Sequence, residues 1–128
     1  MKIIIVLVIC LSFFSFSFAQ DSPGTVFDVY KKAMKETDTK SYLALITQES
    51  KSIVNPSQGL LAREYSDIKD LGYSVKFESS DRAVVYFDPP SNKIPPYLLK
   101  KENNQWKIDL KGMSQIYIFD TNNNWHKK

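Results

Sequence analysis

The side chains able to do chemistry in this chain are few, and they form no catalytic constellation. Asp88 stands at the end of a candidate strand and Asp109 on the outer face of another. Either could serve as general acid or base only beside a partner group, and none is in view. Both are therefore expected to be solvated surface carboxylates. His126 is the single histidine, placed near the C-terminus beside Trp125, Lys127 and Lys128. One histidine excludes the usual multi-histidine metal sites, and an acyl-transfer triad lacks parts. Glycine is scarce and no phosphate-cradling loop occurs. No catalytic residue, metal ligand or cofactor is assigned. Tyr30, Tyr65, Tyr86 and Trp106 are better suited to binding, because each joins an apolar body to one polar atom. Aromatics at core spacing usually just pack, and that is the plainer reading of all four.

The elements that must position these residues are legible from period and turn chemistry. Tyr73, Val75 and Phe77 alternate with Ser74, Lys76 and Glu78, the period of a half-buried antiparallel strand. Trp106, Ile108 and Leu110 alternate in the same way with Lys107 and Asp109. The predicted strands are 73–79, 82–88, 97–102 and 105–110. The second is apolar on both faces, with Ala83, Val85 and Phe87 opposite Val84 and Tyr86. It reads as a central strand covered on each side, or as one whose outer side meets a partner. Asn103-Asn104 suits a tight turn, since asparagine tolerates left-handed backbone.

The link between the second and third strands carries Pro89, Pro90, Pro95 and Pro96 around Ile94. Proline fixes φ and lacks an N–H, so this loop is stiff and cannot extend the ladder. Such a loop loses little entropy on binding, which makes it a candidate partner surface with Ile94 as an exposed apolar contact. The plainer reading is a rigid crossover.

Upstream of the strands the period becomes helical. Ser22-Pro23 suits a capped helix start, and Val26, Tyr30, Ala33 and Met34 follow at helical spacing. Asp38 or Thr39 caps a shorter helix bearing Tyr42, Leu43, Leu45 and Ile46. A third runs through Leu60, Leu61, Glu64, Tyr65, Ile68 and Leu71, with Gly72 read as a left-handed C-cap. Residues 113–119 are apolar enough for a strand or a helical turn. Residues 120–128 are polar and asparagine-rich, and are expected to fray.

Met1-Lys2, the apolar run 3–16 and Ser17-Phe18-Ala19 form an export leader, with cleavage expected before Gln20. A membrane anchor is the rival, but the run is short, broken by serines and without a basic flank. The only cysteine, Cys10, lies in this leader. Removing residues 1–19 takes one lysine from a net charge of +3, so the remaining charge is too small and too mixed to argue for nucleic acid. The expected organisation is a signal peptide over 1–19, one folded domain over 20–112, and a C-terminal tail over 113–128. A periplasmic or extracellular location follows, with no stable membrane anchor once the leader is cut.

Pro23, Val26-Phe27-Asp28-Val29-Tyr30, Ala33, Asp38 and Tyr42-Leu43 resemble the first two helices of the nuclear-transport-factor-two-like, cystatin-like superfamily. Tyr97-Leu98-Leu99-Lys100-Lys101-Glu102 and Asn104-Gln105-Trp106-Lys107-Ile108-Asp109 resemble its closing hairpin. The resemblance implies an α+β roll, with N-terminal helices packed in a curved antiparallel sheet of four to five strands around a cone-shaped cavity. Tyr30, Tyr65, Tyr86 and Trp106 are the residues expected to line that cavity. Members include isomerases, dehydratases, polyketide cyclases and transport adaptors, so the fold alone does not choose an activity.

The expected function is that of a small exported binding or interaction domain. It would take a small apolar ligand in the cone, or a protein, including a toxin it neutralises, at the sheet face and proline loop. The two-sided second strand is also compatible with a homodimer through the sheet. The alternative is an isomerase- or dehydratase-like enzyme, which requires an Asp or Glu inside the cone near a tyrosine. Alternation places every strand carboxylate outside or at an end, and that favours binding.

Overall fold

Three capped helices precede the sheet in the computed structural model, which describes residues 22–128. The leader expected over residues 1–19 lies outside the described residues. Helix α1, Pro23–Lys35, starts where the Ser22 hydroxyl accepts from the Thr25 N–H at 3.2 Å. It ends as Thr37 turns left-handed at φ 51°, with the Asp38 N–H donating back to the Ala33 carbonyl. Asp38 is the cap of α2, Thr39–Ala44, accepting from the Ser41 N–H at 3.1 Å. A single 3₁₀ turn, Ser50–Ser52, leads to α3, Gln58–Ile68, capped by Ser57. Each helix thus begins on a side-chain oxygen that satisfies an otherwise orphaned backbone donor.

Strands β1 Gly72–Phe77, β2 Arg82–Asp88, β3 Tyr97–Glu102 and β4 Gln105–Ile108 form an antiparallel meander in chain order. Asn103 and Asn104, at φ 51° and 64°, make the two-residue turn into β4. Gly72 is not a left-handed cap; it opens β1 opposite Asp88, where a Cβ would come within 3.1 Å of the Asp88 carbonyl. The last strand of the meander stops at Ile108, because Asp109 turns to cap α4, Leu110–Ile116.

One face of the sheet carries Tyr73, Val75, Val85, Phe87, Tyr97, Leu99 and Ile108 against α1. Phe27 of α1 sits at the centre, its ring 5.0 Å from Tyr73 and 5.3 Å from Tyr97. The free edge of β4 is covered by the chain leaving α2. Ile108 donates to the Leu45 carbonyl, and its own carbonyl accepts from Thr47. This closes a ladder that would otherwise expose unpaired donors and acceptors.

The C-terminal segment does not fray. Strand β5, Tyr117–Phe119, pairs with β6, Trp125–Lys127, as a separate two-stranded sheet. Asp120 Oδ1 accepts from both Asn122 and Asn124 N–H at 2.9 Å, and Asn123 is left-handed at φ 61°. The asparagine-rich run is turn chemistry. Trp125 then anchors the hairpin to the proline loop, its ring N–H donating to the Ser91 carbonyl at 2.6 Å and its backbone N–H to Asn92. The hairpin lies against the outer face of β2 and leaves Val84 only 3% exposed. The two-sided apolar character of β2 is thus answered in part within the chain, at Val84 but not at the exposed Tyr86. The molecule is an α+β roll, helices followed by a four-stranded antiparallel sheet with a small second sheet. Among the described residues no helix is long and apolar enough to cross a membrane.

Candidate functional site

Leu61 and Ile68 hold α3 to the core, and Glu64 lies on the same stripe, three residues after one and four before the other. That spacing carries its carboxylate inward. Oε2 accepts from the Tyr30 hydroxyl at 2.5 Å and from the Tyr97 hydroxyl at 2.6 Å. These are the short distances of hydroxyls donating to a charged oxygen. Oε1 receives only a 3.4 Å contact from Tyr42, whose hydroxyl oxygen is also 3.2 Å from that of Tyr30. Among the described residues no lysine, arginine or histidine forms an ion pair with Glu64. Three phenols from α1, α2 and β3 solvate the carboxylate in place of a cation.

A hydroxyl has one proton to give. Tyr30 and Tyr97 commit theirs to Oε2, which fills both lone pairs of that oxygen. Tyr42, held only at distances beyond the usual O–H···O range, keeps a donor that a closer acceptor would capture. Burial first, and then neighbouring negative charge, raise the Tyr30, Tyr42 and Tyr97 hydroxyls above the ordinary tyrosine value. The three remain protonated donors well into the alkaline range.

This cluster forms the floor of a cavity of about 430 Å³. Leu60 of α3, Ile53 and Val54 of the preceding loop, Ile94 and Pro95 of the proline loop, and Met113 of α4 make apolar walls. Glu64, Tyr42 and Tyr97 supply the polar end. An apolar chamber with a few convergent polar groups is the usual form of a small-molecule site. Comparisons with protein-family models, with curated proteins and with solved structures find no match. The site must speak for itself.

The expected binding aromatics do not share one cavity. Tyr30 lies beneath the floor, fully buried, with its hydroxyl on Glu64. Tyr65 faces the other side of α3, beside Lys31 and Lys35 of α1. Tyr86 is on the outer face of the sheet, 41% exposed, across from Ser74. Trp106 is core, packed edge-on to Phe77 with Lys101 over its ring. Strand alternation separates Tyr86 from the other three.

The proline loop also differs from expectation. Pro89 and Pro90 are exposed and Pro96 partly so, but Pro95 is buried and Ile94 half-buried against the core. Ile94 is a cavity wall, half-buried against the core rather than fully exposed. Asp88 is exposed as expected, whereas Asp109 is 5% exposed, its carboxylate accepting from the Gly112 N–H at 3.0 Å. A solvated Asp109 would require the strand to continue, and its capping geometry ends it. His126 bonds Asp120 on the surface at 2.8 Å.

Glu64 is the residue at the polar end of this cavity that strand alternation could not reveal, because it lies on a helix. Its signal was an acidic side chain on the apolar stripe of α3, between Leu61 and Ile68. A carboxylate placed there needs donors, and tyrosines are the donors this core contains.

Proposed function

We propose that this protein binds a small, mainly apolar molecule in the cavity floored by Glu64, with one hydrogen-bonding group seated on the carboxylate. The observation that carries this reading is the asymmetry of Glu64, with Oε2 filled by two short tyrosine bonds and Oε1 met only by a long 3.4 Å bond from the Tyr42 hydroxyl, which a closer acceptor would capture. A ligand hydroxyl or primary amide has a donor for Oε1 and an acceptor for Tyr42. Its apolar body would lie against Leu60, Ile94 and Met113. Export to the periplasm or the outside of the cell, through the N-terminal leader, belongs to the same proposal, as does membership of the nuclear-transport-factor-two-like superfamily.

The enzymatic alternative has one observation in its favour: a carboxylate stands inside the fold beside tyrosines. An isomerase-like step also needs donors aimed at the substrate oxygen. Two of the three hydroxyls are spent on Glu64 itself, which favours binding over proton abstraction.

Thermal unfolding with cyclohexanecarboxamide as probe tests the reading. The amide is expected to raise the melting temperature, while its methyl ester, which lacks the donor, should not. Glu64→Gln should remove the difference. Equal stabilisation by amide and ester, or an amide effect that survives Glu64→Gln, would refute the assignment.

A further inference from the structure

A second cavity, of about 480 Å³, lies on the opposite face of the sheet beneath the β5–β6 hairpin. It shares the Ile94 and Tyr117 walls with the Glu64 cavity and is otherwise separate. Its floor follows one side of β2, from Arg82 through Val84 to Tyr86, with Leu98 of β3 alongside. The four residue steps from Arg82 to Tyr86, at about 3.3 Å each, give this floor a length of about 13 Å.

The two ends differ in chemistry. Toward one end Arg82 and Lys127 both line the cavity, and Glu78 is the one carboxylate in the wall. Lys100, paired with Arg82, and Lys76, paired with Val84, add positive charge on the same face. Among the described residues neither Arg82 nor Lys127 forms a salt bridge or a side-chain hydrogen bond, although Asp81 beside Arg82 and Glu78 in the wall offset part of the positive charge. At the other end Trp125 and Pro90 close the groove with apolar surface. Between them Tyr86, 41% exposed, and the half-buried Leu98 present the accessible apolar surface, while Val84 beneath is already covered.

A cationic mouth, an apolar trough and an apolar stop complement a molecule with an anionic head and one hydrocarbon chain. We propose that this cavity binds a single-chain anionic amphiphile of the fatty-acid class, its carboxylate at Arg82 and Lys127 and its chain along Tyr86 and Leu98 toward Trp125. The site goes beyond the Glu64 reading, and it selects the opposite kind of head group. Guanidinium and ammonium donors recognise carboxylate oxygens, and the chain gains by leaving water.

Calorimetric titration of the protein with decanoate, below its micelle-forming concentration, tests the proposal. Decanoate should bind one-to-one, and decylamine, with the same chain and the opposite charge, should not. The double variant Arg82→Gln/Lys127→Gln should weaken decanoate binding about tenfold or more, while Lys40→Gln on α2 leaves it unchanged. Both altered side chains are exposed, so the fold is expected to persist. The Trp125 emission should shift on binding, and the shift should vanish in Trp125→Phe. Equal binding of decylamine, decanoate affinity indifferent to the double variant, or association with anionic phospholipid vesicles without uptake of decanoate would each overturn it. Because the carboxamide and decanoate probe different cavities, either site can fail without the other.

Discussion

The Tyr97 hydroxyl on β3 donates to Oε2 of Glu64 on α3 at 2.6 Å, so one charge-assisted bond fastens the sheet to the third helix. Hydrogen bonds to charged groups contribute more than neutral ones, about 1.5–3 kcal/mol. Tyr97→Phe should therefore lower unfolding stability by about that amount, measured by urea denaturation. A double-mutant cycle with Glu64→Gln should show coupling, because Tyr97→Phe removes the donor and Glu64→Gln the charge of the same bond. Additive losses would mean that the contact contributes nothing of its own.

Alkaline pH should loosen the fold at this cluster. The tyrosine hydroxyls of Tyr30 and Tyr97 are raised above 10.0, chiefly by burial. Between the unfolded and the folded values, the unfolded chain has released protons that the native state still holds. Stability is then complete below about pH 10 and falls as pH rises toward the folded values, by about 1.4 kcal/mol per pH unit for each fully buried tyrosine. Tyr73, pushed up to about 12 by burial and then by its bond to Asp28, acts in the same direction. Urea midpoints across the alkaline range should decline, less steeply in Tyr97→Phe. A midpoint constant to about pH 11 would contradict the burial of these hydroxyls.

Gly112→Ala should destabilise the start of α4. A Cβ there would lie 2.3 Å from Asp109 Oδ2, a distance no packed structure accepts. The Asp109 side chain would have to swing away, losing its cap on the Gly112 N–H while still buried. The expected cost is about 2 kcal/mol by denaturation, the sum of a lost cap and a less satisfied carboxylate. A loss below about 0.5 kcal/mol would show that the helix start adapts freely.

Trp125→Ala should uncover the outer face of the sheet. The indole donates to Ser91 and packs edge-on to Tyr117 at 5.3 Å, so its removal detaches the hairpin from the proline loop. Cleavage by protease is expected within 117–128, together with binding of a hydrophobic dye at the freed Val84 and Leu98. An intact tail and no dye binding would mean that the β5–β6 pairing holds without this anchor.

Much of the fold was legible because its causes are local. Ser22, Pro23 and Asp38 mark helix starts through hydrogen bonds and dihedral limits that span three residues. The alternation of Tyr73, Val75 and Phe77 and the Asn103-Asn104 turn specify their hairpins in the same way. The candidate site was only half legible. Tyr30 could be named as an amphipathic aromatic, but a carboxylate on an apolar helix stripe does not say which donors will meet it. The C-terminal residues were misread for a related reason. A polar, asparagine-rich run suits both a frayed end and a tight turn, and Trp125 with Ser91 as its acceptor decides between them.

The sequence by itself determined where the first two helices and the four strands of the meander begin and where β2 needs cover on both sides. These follow from backbone dihedrals, caps and side-chain period within a few neighbouring residues. Only the tertiary structure decided that Glu64 meets Tyr30, Tyr97 and Tyr42, which lie 34, 33 and 22 residues away along the chain. It also decided that the chain's own last residues cover β2. A half-buried charge takes whatever donors the packed core brings within reach, and that set exists only after helices and sheet have closed on each other.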